Sequence, residues 1–212
     1  MLLAFDTASP TVTVAVHDGS DVVAELAGES GMRHGEELAP LIDRALRRAG
    51  VVPADLSAIA VGVGPGPFTG LRVGLVTART LGHVLQVPVH GVCSLDVLAI
   101  HAVAAAVVDS PFQVATDARR KEVYLASYDE RARRVDGPVV ERPAVVATDA
   151  PVVGEGAALY PDAFPNARGP LRPSAGYLAR AVVGEYAEIL DPEPLYLRRP
   201  DAEIPRAPKP VS

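Results

Sequence analysis

Ala60-Val61-Gly62-Val63-Gly64-Pro65-Gly66-Pro67-Phe68-Thr69-Gly70-Leu71-Arg72-Val73-Gly74 is the stretch on which the fold of this chain turns. The apolar run Ile59, Ala60, Val61 and Val63 predicts a strand entering a corner. There Gly62, Gly64, Gly66 and Gly70 permit positive φ, while Pro65 and Pro67 fix φ. Thr69 is placed to cap a following helix through its hydroxyl. Strand, glycine loop and helix N-terminus is an arrangement that binds phosphate, because free N–H groups and the helix dipole converge there. The details argue against a standard cradle. A P-loop requires a lysine after its last glycine, and none follows here. A Gly-x-Gly-x-x-Gly pattern begins at Gly62, Val63 and Gly64 but ends on Pro67, and neither Pro65 nor Pro67 has an N–H for an anion. Donors survive at Gly64, Gly66, Phe68, Thr69 and Gly70. The loop reads first as a corner that sets shape and second as an anion or nucleotide contact.

The chain has 212 residues, 49% of them hydrophobic and 22% charged, ample for a folded core. No apolar run reaches the length of a membrane span. The sequence opens on Leu2-Leu3-Ala4-Phe5-Asp6 without a basic leader, and its single cysteine, Cys93, makes no internal disulfide, so a cytoplasmic location is expected. A net charge of −6 argues against independent binding of nucleic acid, which calls for a basic field. The clusters Arg47-Arg48, Arg119-Arg120-Lys121, Arg131 to Arg134 and Arg198-Arg199 read as solvated faces.

Three strands are expected before the corner, at Leu2 to Asp6, Val12 to His17 and Val22 to Leu26, with Val12, Val14 and Val16 alternating against Thr11, Thr13 and Ala15. Leu38, Leu41, Ile42, Ala45, Leu46 and Ala49 recur at helical spacing from His34 to Ala49, and Gly50 follows where a C-cap glycine belongs. A second helix is expected from Leu71 to about Leu85, carrying the small-residue stripe Gly70, Gly74, Ala78 and Gly82. Val87 to Val92 predicts a strand, and Ser94 the cap of a helix reaching about Val108. After Asp109-Ser110-Pro111 the pattern restarts with strands at Phe112 to Thr116 and Val123 to Tyr128. One offset carries Asp6 to Asp117, Asp18 to Asp129, Val12 to Val123 and Val14 to Leu125, which fits a duplicated plan. A third strand is expected within 138 to 147, a weaker strand-to-glycine turn at Val152-Val153-Gly154, and a helix from Ser174 through Tyr186. The halves are expected to divide near Asp109, as 1–109 and 110–199, with an irregular tail over 200–212.

Asp6, at the end of the first strand, could hold a magnesium–phosphate group, or could accept N–H bonds from its own turn; Asp117 shares that ambiguity. His34-Gly35-Glu36-Glu37-Leu38 lacks the second histidine of a zinc helix, so no metal site is expected. His83, His90 and His101 share no spacing with His34. No Gly-x-Ser-x-Gly elbow occurs. Cys93 reads as a small core residue.

Leu3-Ala4-Phe5-Asp6-Thr7, Gly64-Pro65-Gly66-Pro67-Phe68-Thr69-Gly70-Leu71-Arg72-Val73-Gly74, Gly91-Val92-Cys93-Ser94-Leu95 and Pro194-Leu195-Tyr196-Leu197-Arg198 together resemble the TsaB (YeaZ) family, over nearly the whole chain to about Arg199. The resemblance implies an actin-like, Hsp70-like ATPase (ASKHA) fold, α/β, with two duplicated lobes built on mixed five-stranded sheets. It implies a non-catalytic subunit that pairs with TsaD, which transfers threonylcarbamoyl to N6 of adenosine 37 in tRNAs reading codons that begin with A. A TsaE-like ATPase joins the pair, tRNA is met mainly through the complex, and the chain alone can form a homodimer. No cofactor is expected to be held tightly, and the partner interface of the full complex is the place where ATP or ADP could be held. The contact is carried by the first two helices, here expected through His34, Leu38, Leu41, Ile42, Ala45, Gly70, Arg72, Gly74 and Ala78. Asp6, Gly64, Gly66, Phe68, Thr69 and Gly70 form the loop that sets shape or touches nucleotide. Pro67 stands where the family usually has serine, which removes a donor. The alternatives are an independent ATP-binding small-metabolite kinase or ATPase of the same fold, using Asp6 and Asp117, and a proteolytic or metal hydrolase.

Overall fold

A computed structural model describes residues 1–29, 31 and 33–198. Two five-stranded sheets share one plan. In the first, β1 (Leu2–Asp6), β2 (Thr13–His17) and β3 (Val22–Ala27) form an antiparallel meander, and β4 (Ala58–Gly62) and β5 (Val89–Val92) extend it in parallel, in the order β3-β2-β1-β4-β5. In the second, β6 (Phe112–Asp117), β7 (Val123–Tyr128) and β8 (Arg134–Glu141) repeat the meander, with the short β9 (Val152–Val153) and β10 (Ala167–Arg168) parallel to β6, in the order β10-β9-β6-β7-β8. Asp6 and Asp117 close the equivalent strands β1 and β6, as the offset in the sequence predicts. The fold is the expected α/β pair of duplicated lobes on mixed five-stranded sheets.

The first sheet is covered on both faces, which explains its continuous apolar strands. Leu3, Phe5, Val14 and Val16 face the helices α1 (His34–Ala49) and α2 (Phe68–Leu85). Leu2, Ala4 and Ala15 face α5 (Ala175–Val183), a helix from the far end of the sequence. The threonine-alanine side of β2 is therefore buried as well. The all-round apolar helix α3 (Ser94–Ala104) lies between the sheets: Val97 joins the first core, while Leu95, Leu98 and Ala99 join the second with Phe112, Val114 and Tyr128. Each sheet thus borrows a helix from the other half of the chain. The short α4 (Glu155–Leu159) packs against β6.

Several boundaries move. Helix α3 ends at Ala104 rather than near Val108, and Ala106 beyond it is left-handed at φ 52°. Strand β8 starts at Arg134, ahead of the expected 138, because Asp129 accepts the N–H groups of Arg131 and Arg133 and closes a tight turn after β7. Helix α5 ends at Val183, short of Tyr186, with Gly184 at its C-cap. Gly50 ends α1 as expected, left-handed at φ 70°. From Leu190 the chain forms a strap across both lobes. Leu190 and Gly91 exchange N–H···O bonds of 2.9 Å, the Leu195 N–H donates to the Val63 carbonyl, and the Arg198 guanidinium donates to the Ala118 carbonyl. The expected tail lies outside the described residues.

Candidate functional site

The glycine corner is built around Asp6. Parallel pairing of β1 with β4, in the register Phe5 to Val61, sets Asp6 beside Gly62. A Cβ at Gly62 would stand 1.9 Å from Asp6 Oδ2, so only glycine admits the carboxylate there. Asp6 is 1% exposed. Its Oδ1 accepts the Ala8 N–H at 2.7 Å, and its Oδ2 accepts the Ser94 hydroxyl at 2.6 Å. Burial pushes its pKa above the ordinary range against the pull of those two donors and of the charge on His34. The Ser94 N–H meanwhile donates to the Gly64 carbonyl at 2.7 Å, where Gly64 takes φ +95°. Gly66 presses on the β1–β2 turn so closely that a Cβ would sit 2.3 Å from the Ala8 carbonyl oxygen. The corner is therefore clamped to β1 and α3.

Two capping expectations are corrected. Helix α2 starts at Phe68, three residues before Leu71, directly after Pro67, whose backbone at φ −60° and ψ 130° is still extended; no side chain caps it, and Thr69 is an exposed residue of the first turn. Ser94 is the first residue of α3 rather than its cap, and its hydroxyl is spent on Asp6.

The residues expected to carry the partner contact lie, but for Arg72, inside the fold. His34 is buried, with Nε2 2.7 Å from the Ser9 carbonyl oxygen, and it holds the β1–β2 turn. Leu38, Leu41, Ile42 and Ala45 lie in the core beneath α1. The small stripe of α2 also faces inward. A Cβ at Gly70 would stand 2.5 Å from the Thr7 carbonyl oxygen, one at Gly74 2.3 Å from Thr7 Oγ1, and one at Gly82 2.3 Å from Val89, while Ala78 is fully buried. Thr7 Oγ1 donates to the Gly70 carbonyl at 2.8 Å, which seals the contact. Close approach of backbones does occur along this stripe, and what approaches is the chain's own β1–β2 turn and β5. Arg72 alone of the nine is exposed. The outer face of α2 instead presents Arg72, Val76, Arg79, Thr80, His83 and Val84, with Val76 62% and Val84 69% exposed.

Asp117 is not joined to Asp6. Its Oδ1 accepts the Arg119 N–H at 2.8 Å and its Oδ2 pairs with the Arg119 guanidinium at 3.2 Å. The crevice between the β1–β2 turn, Pro65, Pro67, Ser94, Thr116 and Asp117 encloses only about 10 Å³, the room of one water. Among the described residues no three of His, Cys, Asp and Glu gather as a metal site. Cys93 is buried, and burial together with the charge of Asp96 pushes its thiol up to about 12, far from a nucleophile's range. Asp96 itself accepts the Tyr128 hydroxyl at 2.7 Å and lies 3.6 Å from Arg134. Among the described residues no helix is long and apolar enough to cross a membrane.

A contact the sequence did not disclose joins the corner to the strap. Phe68 stacks on Tyr196 with ring centroids 5.3 Å apart, and the Arg72 guanidinium lies 3.7 Å from the Phe68 centroid while Nε reaches the Tyr196 hydroxyl at 3.3 Å. The one signal for it was the motif Pro194-Leu195-Tyr196-Leu197-Arg198.

Residues 22–154 match the family model described as TsaD, tRNA N6-adenosine threonylcarbamoyltransferase. An uncharacterized protein of Mycobacterium tuberculosis is 42% identical over 212 residues, covering 95% of this chain and 93% of its own length. The tRNA threonylcarbamoyladenosine biosynthesis protein TsaB of Bacillus subtilis is 35% identical over 127 residues, 60% of this chain and 54% of that protein. The solved structure of YeaZ from Pseudomonas aeruginosa superposes with a TM-score of 0.75 at 31% identity, covering 92% of this chain and 99% of that one.

Proposed function

Because the chain belongs to the TsaB (YeaZ) family, within the wider set whose model is named for TsaD, we propose that it is the non-catalytic partner of a TsaD-like transferase in the formation of tRNA threonylcarbamoyladenosine. The observation that carries the non-catalytic part is the engagement of Asp6. An acid that binds magnesium and phosphate must turn a free oxygen toward solvent, whereas both oxygens of Asp6 are held by Ser94 and the Ala8 N–H inside the core. The corner that surrounds a nucleotide in a phosphate-binding fold here fixes how α2 leaves the sheet.

The pairing surface in this reading is the outer face of α2. Val76 and Val84 are apolar side chains open to water two turns apart on one face, flanked by Arg72 and Arg79, the mixture of apolar centre and cationic rim that suits a helix-to-helix interface. The same face, meeting its own copy, accounts for a homodimer of the isolated chain. A TsaE-like ATPase joins the complex at its other surfaces, tRNA is met mainly through the assembly, and ATP or ADP is held against the partner rather than at Asp6.

The test is to mix the purified chain with its TsaD-like partner on a sizing column and to titrate the isolated chain with ATP and magnesium in a calorimeter. The reading expects a stoichiometric complex and no micromolar ATP binding. ATP binding that is lost in Asp6→Ala would instead make the chain a kinase or ATPase in its own right.

A further inference from the structure

A cleft of about 480 Å³ opens beside the glycine corner and is lined from both lobes. The cations at its edge are already engaged: Arg119 pairs with Asp117, Arg198 with the Glu122 carboxylate, and Arg120 has a partner as well. What the cleft offers is therefore an apolar wall, made by Pro67, Phe68, Leu195, Tyr196 and Leu197. Phe68 and Tyr196 stack on each other and still remain 47% and 42% exposed, which leaves a pair of large rings open to water.

The sequence that leaves this wall has a period of three. Leu195 to Arg198 all line the cleft, and the chain continues as Arg199-Pro200-Asp201-Ala202-Glu203-Ile204-Pro205-Arg206-Ala207-Pro208-Lys209-Pro210-Val211-Ser212. Ala202, Pro205, Pro208 and Val211 recur at every third residue, as do Ile204, Ala207 and Pro210, while Glu203, Arg206, Lys209 and Ser212 fill the remaining register. Three is the number of residues per turn of polyproline II. In that conformation the segment carries one polar edge and two adjoining apolar ones. A polyproline II helix has no hydrogen bond of its own to hold it, and the surfaces that receive one are grooves lined by aromatic rings. Pro205-Arg206-Ala207-Pro208 has the Pro-x-x-Pro spacing that such grooves read, with its two prolines about 9 Å apart on one edge. Six residues, 199 to 204, separate Arg198 from Pro205. They span up to about 20 Å, enough to turn back to a wall that Arg198 itself helps to form.

We propose that the segment Ala202–Val211 docks in this cleft of its own chain as a polyproline II helix, with Pro205 and Pro208 against the rings of Phe68 and Tyr196 and the Glu203, Arg206 and Lys209 edge in water. Tethering sets an effective concentration in the millimolar range, so contacts too weak to hold a free peptide suffice. Docked there, the segment fills the cleft and covers the open rings at the start of α2. The proposal does not depend on the partner reading.

Trypsin tests it, because Arg206 lies inside the segment and proteolysis reads how often the docked form opens. The initial rate of cutting after Arg206 is followed by intact mass in the full chain and in a free peptide of residues 199–212. The full chain is expected to be cut at least about tenfold more slowly than the peptide. Pro208→Gly, compared with a peptide carrying the same change, and Tyr196→Ala are each expected to bring the two rates together. Val145→Glu, at an exposed position elsewhere on the second lobe, is expected to keep the protection. Protection within one chain is also expected to survive about a hundredfold dilution. In the parent protein, NOEs between the Pro208 ring protons and those of Phe68 or Tyr196 are expected; they carry the test of the cleft if Tyr196→Ala melts early. Equal rates for chain and peptide overturn the proposal, as does protection that persists in both Pro208→Gly and Tyr196→Ala, or the absence of those NOEs. Protection lost on dilution overturns it in favour of the same segment from a second copy.

Discussion

Ser94 Oγ donates to Asp6 Oδ2 at 2.6 Å across a chain separation of 88 residues, tying the first strand to the helix that lies between the lobes. This one bond occupies an oxygen that a magnesium-binding carboxylate would have to keep free. Its energetics are open to direct measurement.

Burial raises the folded-state pKa of Asp6 above the unfolded value of 3.8. A raised carboxyl favours folding in its protonated form, so its contribution is fully present below pH 3.8 and is lost as pH rises through the folded value. At pH 7.5, above the unfolded value, the buried acid therefore costs stability. Asp6→Asn, which can accept from Ala8 and donate to Ser94, is expected to raise Tm by about 2–4 °C at pH 7.5, and the gain should vanish below pH 4. Thermal melts of the two proteins across pH check both halves of this expectation.

Ser94→Ala removes the donor and leaves Asp6 Oδ2 buried with no partner of that kind. Such a loss costs about 1–3 kcal/mol. Urea unfolding at pH 7.5 should show the midpoint falling with the slope unchanged; an unmoved midpoint would mean that the bond contributes nothing to folding.

Glycines in this chain divide sharply by what surrounds them. A Cβ at Gly62 meets the Asp6 carboxylate at 1.9 Å, whereas one at Gly35, in the first turn of α1, meets nothing within 4 Å. Gly62→Ala should lower stability by more than about 2 kcal/mol or abolish soluble expression. Gly35→Ala should raise it by up to about 1 kcal/mol through helix propensity. Denaturant curves on the pair provide the comparison.

His101 stacks on Tyr177 with centroids 3.9 Å apart, and burial lowers its pKa below the ordinary 6.5, opposed by the charge of Glu25. A histidine held neutral supports folding above pH 6.5, and that support is lost as pH falls through the folded value. His101→Phe keeps a ring on Tyr177 without a titrating nitrogen. The fall in Tm between pH 6.5 and 5 is expected to be smaller in that variant than in the parent, by differential scanning calorimetry.

Elements with strong periodicity were legible from the residues alone. Val12, Val14 and Val16 set β2, Leu38 to Ala49 set α1, and the offset from Asp6 to Asp117 disclosed the duplication that the two sheets share. The glycine corner was legible as a shape, since Gly64 and the flanking prolines allow few conformations. What approaches the corner was not. A stripe such as Gly70, Gly74, Ala78 and Gly82 states only that some backbone comes close, and the residues cannot say whether it belongs to a partner or to Thr7 of the same chain. Likewise Leu38 and Ile42 look the same in sequence whether their face meets a core or a second protein. The strap from Leu190 to Arg198 has no period to read, because its order comes from single bonds to Gly91, Val63 and Ala118 rather than from a repeated face.

The central claim is that the outer face of α2, not the buried stripe, binds a TsaD-like partner. Val76→Glu with Val84→Glu places two charges on that face at positions 62% and 69% exposed, where the fold tolerates them, and Val145→Glu, 70% exposed on the second lobe, serves as the control. Titration calorimetry of each variant into the partner measures the claim most directly. The account predicts at least about a tenfold loss of affinity for the α2 variant at unchanged Tm, with the control matching the parent. Equal affinities for all three proteins would contradict it.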